Sequence, residues 1–184
     1  AVHNGADDNA SGTAGLLQLA RFLSSTERGE FKRHNYVLVA FSAEEMGLLG
    51  SKHFVSLSQD SEPFLYMMNM DMIGRMEENR LQVNGMGTSP VWEDIFQNAD
   101  CKLEFNYSQS GVGPSDHTSF YYRDVPVLHF FTGTHEDYHK PSDDADRINY
   151  KGIVKVLNTM LAVMAQMPEQ MEFTPTKNES TKAP

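Results

Sequence analysis

Residues 36–47 read YVLVAFSAEEMG, and this stretch decides the predicted fold. Residues 36–41 form a continuous apolar run, which is typical of a strand buried on both faces of a parallel sheet. Glu44 and Glu45 follow after two intervening residues. Because parallel α/β sheets bind their ligands beyond the carboxyl ends of the strands, this stretch predicts acidic side chains at a functional rim.

Two further apolar runs predict strands that point to the same rim. Residues 64–70 read FLYMMNM and are followed directly by Asp71, and residues 125–131 read VPVLHFF and are followed by a polar loop that contains His139. Leu81 begins a shorter predicted strand, and residues 103–107 predict an edge strand. Three strands therefore direct acid or imidazole groups to one edge of the sheet.

Helical periodicity separates these strands along the chain. Apolar spacing predicts helices over 13–25, 48–57, near 92–96, over 117–122 and from Asn149 to about residue 167. Alternating strands and helices predict a three-layer α/β fold, in which a mostly parallel twisted sheet carries helices on both faces. We expect residues 1–167 to form one domain, and the Pro-, Lys- and Thr-rich residues 168–184 to form a flexible tail.

Composition excludes several classes of protein. The 184 residues include 40% hydrophobic ones, which fits a globular domain, and the formal net charge is -10. An acidic chain of this kind argues against nucleic acid and anionic membranes as partners. No apolar run approaches 18 residues, so no membrane span is expected. Cys101 is the single cysteine, which excludes an intrachain disulfide and Cys-rich zinc modules.

The residues at the predicted rim are of the types that bind zinc. Asp, Glu and His are zinc ligands, and a carboxylate can bridge two ions. The candidates are Asp7 in the loop GADDNASG, the pair Glu44 and Glu45, Asp71 and His139. One glutamate of the pair could bind metal while the other stays unligated and acts as a general base. Alone, each motif is weak, since an Asp/Asn/Ser-rich loop also caps helices and adjacent glutamates often begin a solvated helix.

Together the motifs resemble a known family. GADDNASG, SAEEMGLLGS, NMDMIG, SDHTSF and YHKPSD occur in the order found in the zinc aminopeptidases of peptidase family M28, the aminopeptidase S/Y-like group. The resemblance covers residues 4–167. It implies a zinc-exopeptidase-like fold that here lacks its first strands, a peptide substrate cleaved at its N-terminus, and an exported protein.

The resemblance also implies a division of metal ligands. Asp7 resembles the aspartate that bridges two zinc ions, Glu45 and His139 the other ligands of one zinc, and Asp71 a ligand of the second. A further histidine ligand, expected upstream of the bridging aspartate, has no match in this sequence, so a complete dinuclear site is expected only in a longer enzyme. Asp143, four residues after His139, is expected to orient its imidazole.

Two more residues are assigned roles in catalysis by the resemblance. Glu44 resembles the general base, and Tyr138 resembles the tyrosine that donates a hydrogen bond to the oxyanion. The family also implies a cis peptide bond after the bridging aspartate, here between Asp7 and Asp8.

Three alternatives stay open at this point. Residues 135–139 match the H-E-x-x-H pattern of zincins, but Gly133 and Pro141 flank the segment, so we expect a loop instead of the helix that zincins need. A glutaminyl cyclase-like transferase shares this fold and one zinc, although such enzymes resemble Trp-His where this chain has Tyr138 and His139. A non-catalytic domain on the same scaffold is the third. Substrate preference and oligomeric state do not follow from the sequence.

Overall fold

A four-stranded sheet is the centre of the computed structural model, which describes residues 2–58 and 64–177. The strands are β1 (Met67–Met70), β2 (Arg80–Asn84), β3 (Glu104–Ser108) and β4 (Val127–Phe131), in the order β1-β4-β2-β3. β1 is parallel to β4 and β2 to β3, whereas β2 and β4 are antiparallel. The predicted mostly parallel sheet is confirmed, and β3 is an edge strand as expected.

Helices connect the strands. They are α1 (Gly12–Leu23), α2 (Leu49–Leu57), α3 (Trp92–Asn98), α4 (His117–Tyr121) and α5 (Tyr150–Ala165). Shorter 3-10 segments cover Thr26–Arg33, Met86–Thr88 and Ala145–Arg147. Asn149 caps α5 as predicted, because its Oδ1 accepts a hydrogen bond of 2.8 Å from the N–H of Gly152. Within the described ranges, no helix combines the length and the apolar character that crossing a membrane would require.

The core lies on both faces of the sheet. Side chains alternate along β4, so Leu128 and Phe130 pack into one apolar cluster and Val127 into another. The first cluster contains residues of α1, α3 and α5, and the second contains residues of α2 and α4. Helices therefore cover both sides, which confirms the three-layer architecture.

The structure differs from the prediction at residues 36–41. This segment belongs to no strand, and Val37 is 63% exposed. Burial on both faces requires neighbours on both sides, and no strand within the described ranges pairs with this segment. The prediction of a strand buried on both faces is therefore wrong here.

The C-terminal segment also differs from the expected flexible tail. Residues 171–177, which we call the C-terminal clasp, lie against the body of the domain. Thr174 donates a 2.9 Å hydrogen bond to the Thr88 carbonyl, and Thr176 receives one of 3.0 Å from the Gly111 N–H. The N–H of Thr176 donates to the Tyr121 hydroxyl at 2.8 Å. Polar composition predicted disorder, whereas backbone hydrogen bonds hold the clasp; the expected tail beyond residue 177 lies outside the described residues.

Candidate metal centre

The loop before α1 presents two adjacent aspartates. Gly5 has a left-handed backbone, with φ 59°, and the N–H groups of Asp7 and Asp8 both donate to Oδ2 of Asp143, at 2.9 and 3.1 Å. The predicted role of Asp143 in orienting His139 is therefore wrong. This buried carboxylate instead fixes the backbone of the aspartate loop.

The two aspartates point in different directions. Asp7 is fully buried, and its Oδ1 accepts a 2.6 Å hydrogen bond from the N–H of Gly74. Asp8 reaches the rim, where its Oδ2 lies 3.2 Å from Nε2 of His139. The structure thus brings Asp8, not the predicted Asp7, to the ligand cluster. The cis peptide bond likewise joins Asp8 and Asn9, one residue later than expected.

Glu45 and His139 meet Asp8 at one point. Nε2 of His139 lies 2.8 Å from Oε1 of Glu45, and one ligand atom from each of the three residues lies within 4.8 Å of the others. His139 arrives on the loop that follows β4, and Glu45 on the turn that follows residues 36–41. The predicted pairing of Glu45 with His139 is therefore present in the geometry.

The donor set of this cluster fits a zinc ion. Two carboxylates and one imidazole are ligands that zinc accepts, and three protein ligands leave a position for water, as catalytic zinc sites require. The side chains of His139 and Glu45 are 49% and 62% exposed, so the cluster is open to solvent and substrate on one side. The side chain of Asp8 is only 18% exposed and forms the buried side of the cluster.

A cavity of about 300 Å³ adjoins the cluster. Its lining combines apolar side chains with acidic ones, the acidic ones being Asp8, Glu44, Glu45, Asp71 and Asp116. Asp71 follows β1 directly and thus lies where the sequence placed it, at the carboxyl end of a strand next to β4. It lines the cavity but is not among the three residues that meet at the cluster.

Crowded carboxylates favour protonation in this cavity. Burial, and then the neighbouring charge of Asp71, raise the pKa of Glu44 to about 7. Burial likewise raises the pKa of Asp71 to about 6, with Asp8 and Asp116 adding to the effect. A cation would relieve this repulsion, so the electrostatics of the cavity also fit a metal site.

Tyr138 is next to the cluster. Its ring stacks on that of His139, with centroids 3.8 Å apart, and Tyr138 is 37% exposed. Burial raises the pKa of the Tyr138 hydroxyl, with Asp8 contributing, so the phenol stays protonated and able to donate a hydrogen bond. Tyr138 thus lies beside His139, and its role as a hydrogen-bond donor stays a prediction.

The zincin alternative does not fit the structure. Residues 136–139 form turns and residue 135 belongs to no helix, as predicted from Gly133 and Pro141. Nε2 of His135 lies 3.2 Å from Oδ2 of Asp7, away from the three clustered ligands. His135 and His139 thus face different partners.

Three of the segments that carry site residues contain a non-glycine residue with left-handed backbone. Ala43 has φ 57° immediately before Glu44, Met72 has φ 50° immediately after Asp71, and His139 itself has φ 57°. Such conformations are uncommon for residues with a Cβ atom. They change the direction of the chain beside Glu44, beside Asp71 and at His139.

The residue that sequence reasoning missed is Asp8. The motif contains two adjacent aspartates, and successive side chains in an irregular loop face different directions, so only one of them can reach the rim. Nothing in the composition of the loop distinguishes them. The distinguishing contact is the hydrogen bond between Asp7 and Gly74, which joins residues far apart in the sequence.

Comparisons with known proteins agree with this geometry. The sequence pattern of peptidase family M28 matches residues 1–164. The chain is 30% identical to aminopeptidase YwaD of Bacillus subtilis (strain 168), over 97% of this chain and 41% of that protein. It therefore spans about two fifths of the length of this relative.

Solved structures show the same similarity. The aminopeptidase LapA of Legionella pneumophila superposes with a TM-score of 0.72 at 26% identity, over 91% of this chain and 48% of the other. BSAP, a zinc aminopeptidase from Bacillus subtilis, superposes with a TM-score of 0.67 at 28% identity, over 88% of this chain and 42% of the other.

Proposed function

Because the chain belongs to peptidase family M28, we propose that it carries the active site of a zinc-dependent aminopeptidase, which removes N-terminal residues from peptides. The observation that carries this proposal is the meeting of Asp8, Glu45 and His139 beside an acidic cavity. The chain covers 41% of aminopeptidase YwaD and 48% of the LapA chain, so the activity is proposed for the whole protein.

Asp8, Glu45 and His139 are the residues that would hold zinc. When bound, zinc would supply a Lewis acid and lower the pKa of an attached water molecule. Asp8 takes the place that the sequence gave to Asp7, and Asp71 is the candidate ligand for a second ion, for which the described residues offer no complete set. The number of ions in the full-length protein is therefore part of the proposal.

Glu44 is the proposed general base. Its carboxylate lines the cavity directly beside Glu45 and is free of the ligand cluster. In its ionised form it would accept a proton from the attacking water and return that proton to the amine nitrogen as the peptide C–N bond breaks. A base of this kind works best when its pKa lies near the working pH.

Substrate orientation follows from the charges in the cavity. A peptide with a free N-terminus carries a cationic amine, and Asp116 provides an acidic group in the lining that is assigned to no metal ion. The Tyr138 hydroxyl would donate a hydrogen bond to the oxyanion that develops on the scissile carbonyl, and such donors are most effective when they are fixed in advance. The apolar part of the lining, including Phe41 and Met67, would accept an apolar side chain.

The proposal is tested with aminoacyl-p-nitroanilides and the full-length protein. We expect cleavage of substrates with a free amine, much slower cleavage of their N-acetylated forms, loss of activity on chelation, and recovery with added zinc. Cleavage that survives complete metal removal would contradict the proposal. Cyclisation of N-terminal glutamine without hydrolysis would instead indicate a transferase, and zinc binding without either reaction would indicate a non-catalytic domain.

A further inference from the structure

A line of interacting side chains runs beneath the proposed metal centre. Arg75 Nη2 donates a hydrogen bond to Oδ2 of Asp137 and lies 3.3 Å from Nδ1 of His135. His135 Nε2 lies in turn 3.2 Å from Oδ2 of Asp7. All four side chains are largely buried, with Asp7 completely so. None of these four residues belongs to the ligand cluster.

The contacts fix the tautomer of His135. A guanidinium group only donates hydrogen bonds, so Nδ1 of His135 must be the acceptor in its contact with Arg75. The ring proton therefore lies on Nε2, which faces the carboxylate of Asp7. The imidazole thus connects the cation of Arg75 to the anion of Asp7.

Asp7 depends on this histidine for a counterpart. Within residues 2–58 and 64–177, Oδ2 of Asp7 has no polar partner other than His135. Nε2 of His135 likewise has no polar partner there other than Asp7. The 3.2 Å contact is an electrostatic pairing and not a well-aligned hydrogen bond. Removing the imidazole would leave a completely buried carboxylate oxygen without a partner, and such groups force a rearrangement.

Asp7 is also the junction of the segments that form the centre. Its backbone precedes that of Asp8, and its Oδ1 accepts the N–H of Gly74, three residues after Asp71. His135 lies four residues before His139 on the loop after β4. The pairing of Asp7 with His135 therefore ties together the three segments that carry Asp8, Asp71 and His139.

We infer that His135 is a positioning residue of the metal centre, which acts through Asp7 to aim the carboxylate of Asp8 at Glu45 and His139. The expected effect of His135 on turnover rests on the proposed function, whereas its expected effect on metal binding does not. His135, the first histidine of the H-E-x-x-H pattern, thus positions a metal ligand instead of binding metal itself.

The test replaces His135 in the full-length protein and measures metal binding directly. In His135→Leu we expect zinc affinity, from competition with a chelator, to fall by about 10- to 100-fold, the range typical of residues that support metal ligands. The visible absorption of the cobalt(II)-substituted protein should change, because it reports coordination geometry. His135→Gln, which can still donate to Asp7, should keep both close to the wild type. His53→Leu, on the exposed side of α2, should change neither.

A second variant keeps the test decisive if His135→Leu does not fold. Asp7→Asn retains an acceptor for Gly74 but removes the charge that faces His135, and it should cause the same weakening and spectral change. If both variants bind zinc and cobalt(II) as the wild type does, the inference is overturned. A wild type without peptidase activity would sink the proposed function alone, since the spectral change in the variants would still support the role of His135.

Discussion

Nε2 of His139 lies 2.8 Å from Oε1 of Glu45, although 94 positions separate the two residues. Asp8 completes the set from a third segment, so metal binding should require all three. We expect Asp8→Ala to abolish zinc binding at this centre, as measured by metal content after dialysis. Asp94→Ala, on the exposed face of α3, is the matched control and should bind normally. Full zinc occupancy in Asp8→Ala would contradict the assignment of Asp8 over Asp7.

Substitution of Glu44 should lower turnover without weakening metal binding. Because it lines the cavity but is not in the ligand cluster, Glu44→Gln should retain zinc. Loss of a general base should lower kcat by about 10²- to 10⁴-fold in the full-length protein. Glu30→Gln, at an exposed position, provides the control. A Glu44→Gln variant with wild-type turnover would exclude the proposed role, whereas simultaneous loss of zinc would make Glu44 a ligand.

Two buried histidines should make the fold sensitive to acid. His117 and His129 stack with ring centroids 4.5 Å apart, and burial lowers the pKa of His129 to about 4 and that of His117 well below its ordinary value. The unfolded chain binds protons below about pH 6.5, whereas the folded His129 stays neutral until about pH 4. Stability is therefore fully present above pH 6.5 and is lost as the pH falls toward 4.

The contribution of His129 can be isolated by substitution. Between pH 7 and pH 5 the wild type should lose about 2 kcal/mol more unfolding free energy than His129→Gln, which has no group that titrates in this range. Urea unfolding at the two pH values gives the difference. Equal losses in the two proteins would show that His129 does not cause the acid sensitivity. Raised pKa values such as that of Asp71 act in the opposite direction, but they are common to both proteins.

The C-terminal clasp should contribute to stability through Tyr121. The Tyr121 hydroxyl accepts the N–H of Thr176, and Tyr121 is buried. Tyr121→Phe should lower the free energy of unfolding by about 1–2 kcal/mol, because the Thr176 N–H loses its partner. Tyr122→Phe is a close control, since Tyr122 is 63% exposed and should change stability by less than about 0.5 kcal/mol. Indistinguishable urea midpoints for the two variants would contradict a structural role for the clasp.

The sequence predicted those features that depend on local patterns. The apolar run that ends in Phe131 predicted a central strand, because consecutive apolar side chains are typical of a strand covered on both faces. Asn149 predicted the start of a helix, and the contact that caps this helix joins it to Gly152, only three residues away. The segment containing Val37 was wrongly predicted to be a strand buried on both faces, because burial depends on neighbours that composition does not specify.

The same distinction explains the candidate site. The motifs correctly brought Glu45 and His139 together, because both follow chain segments that end at one rim. They did not distinguish Asp7 from Asp8 or reveal the role of Asp143. Those outcomes depend on hydrogen bonds between distant segments, such as the two that the Asp143 carboxylate accepts.

The left-handed residues at the rim imply a conflict between thermal tolerance and turnover. Glycine adopts the backbone of Met72 without the steric cost of a side chain, which is about 1–2 kcal/mol per residue. Because Met72 is itself buried, the smaller Ala43 gives the cleaner substitution. Ala43→Gly should raise the melting temperature while lowering kcat, because the added freedom loosens Glu44. Paired melting and rate measurements check this, and a variant improved in both would refute it. Engineering for heat resistance at these positions would therefore select against the proposed aminopeptidase activity.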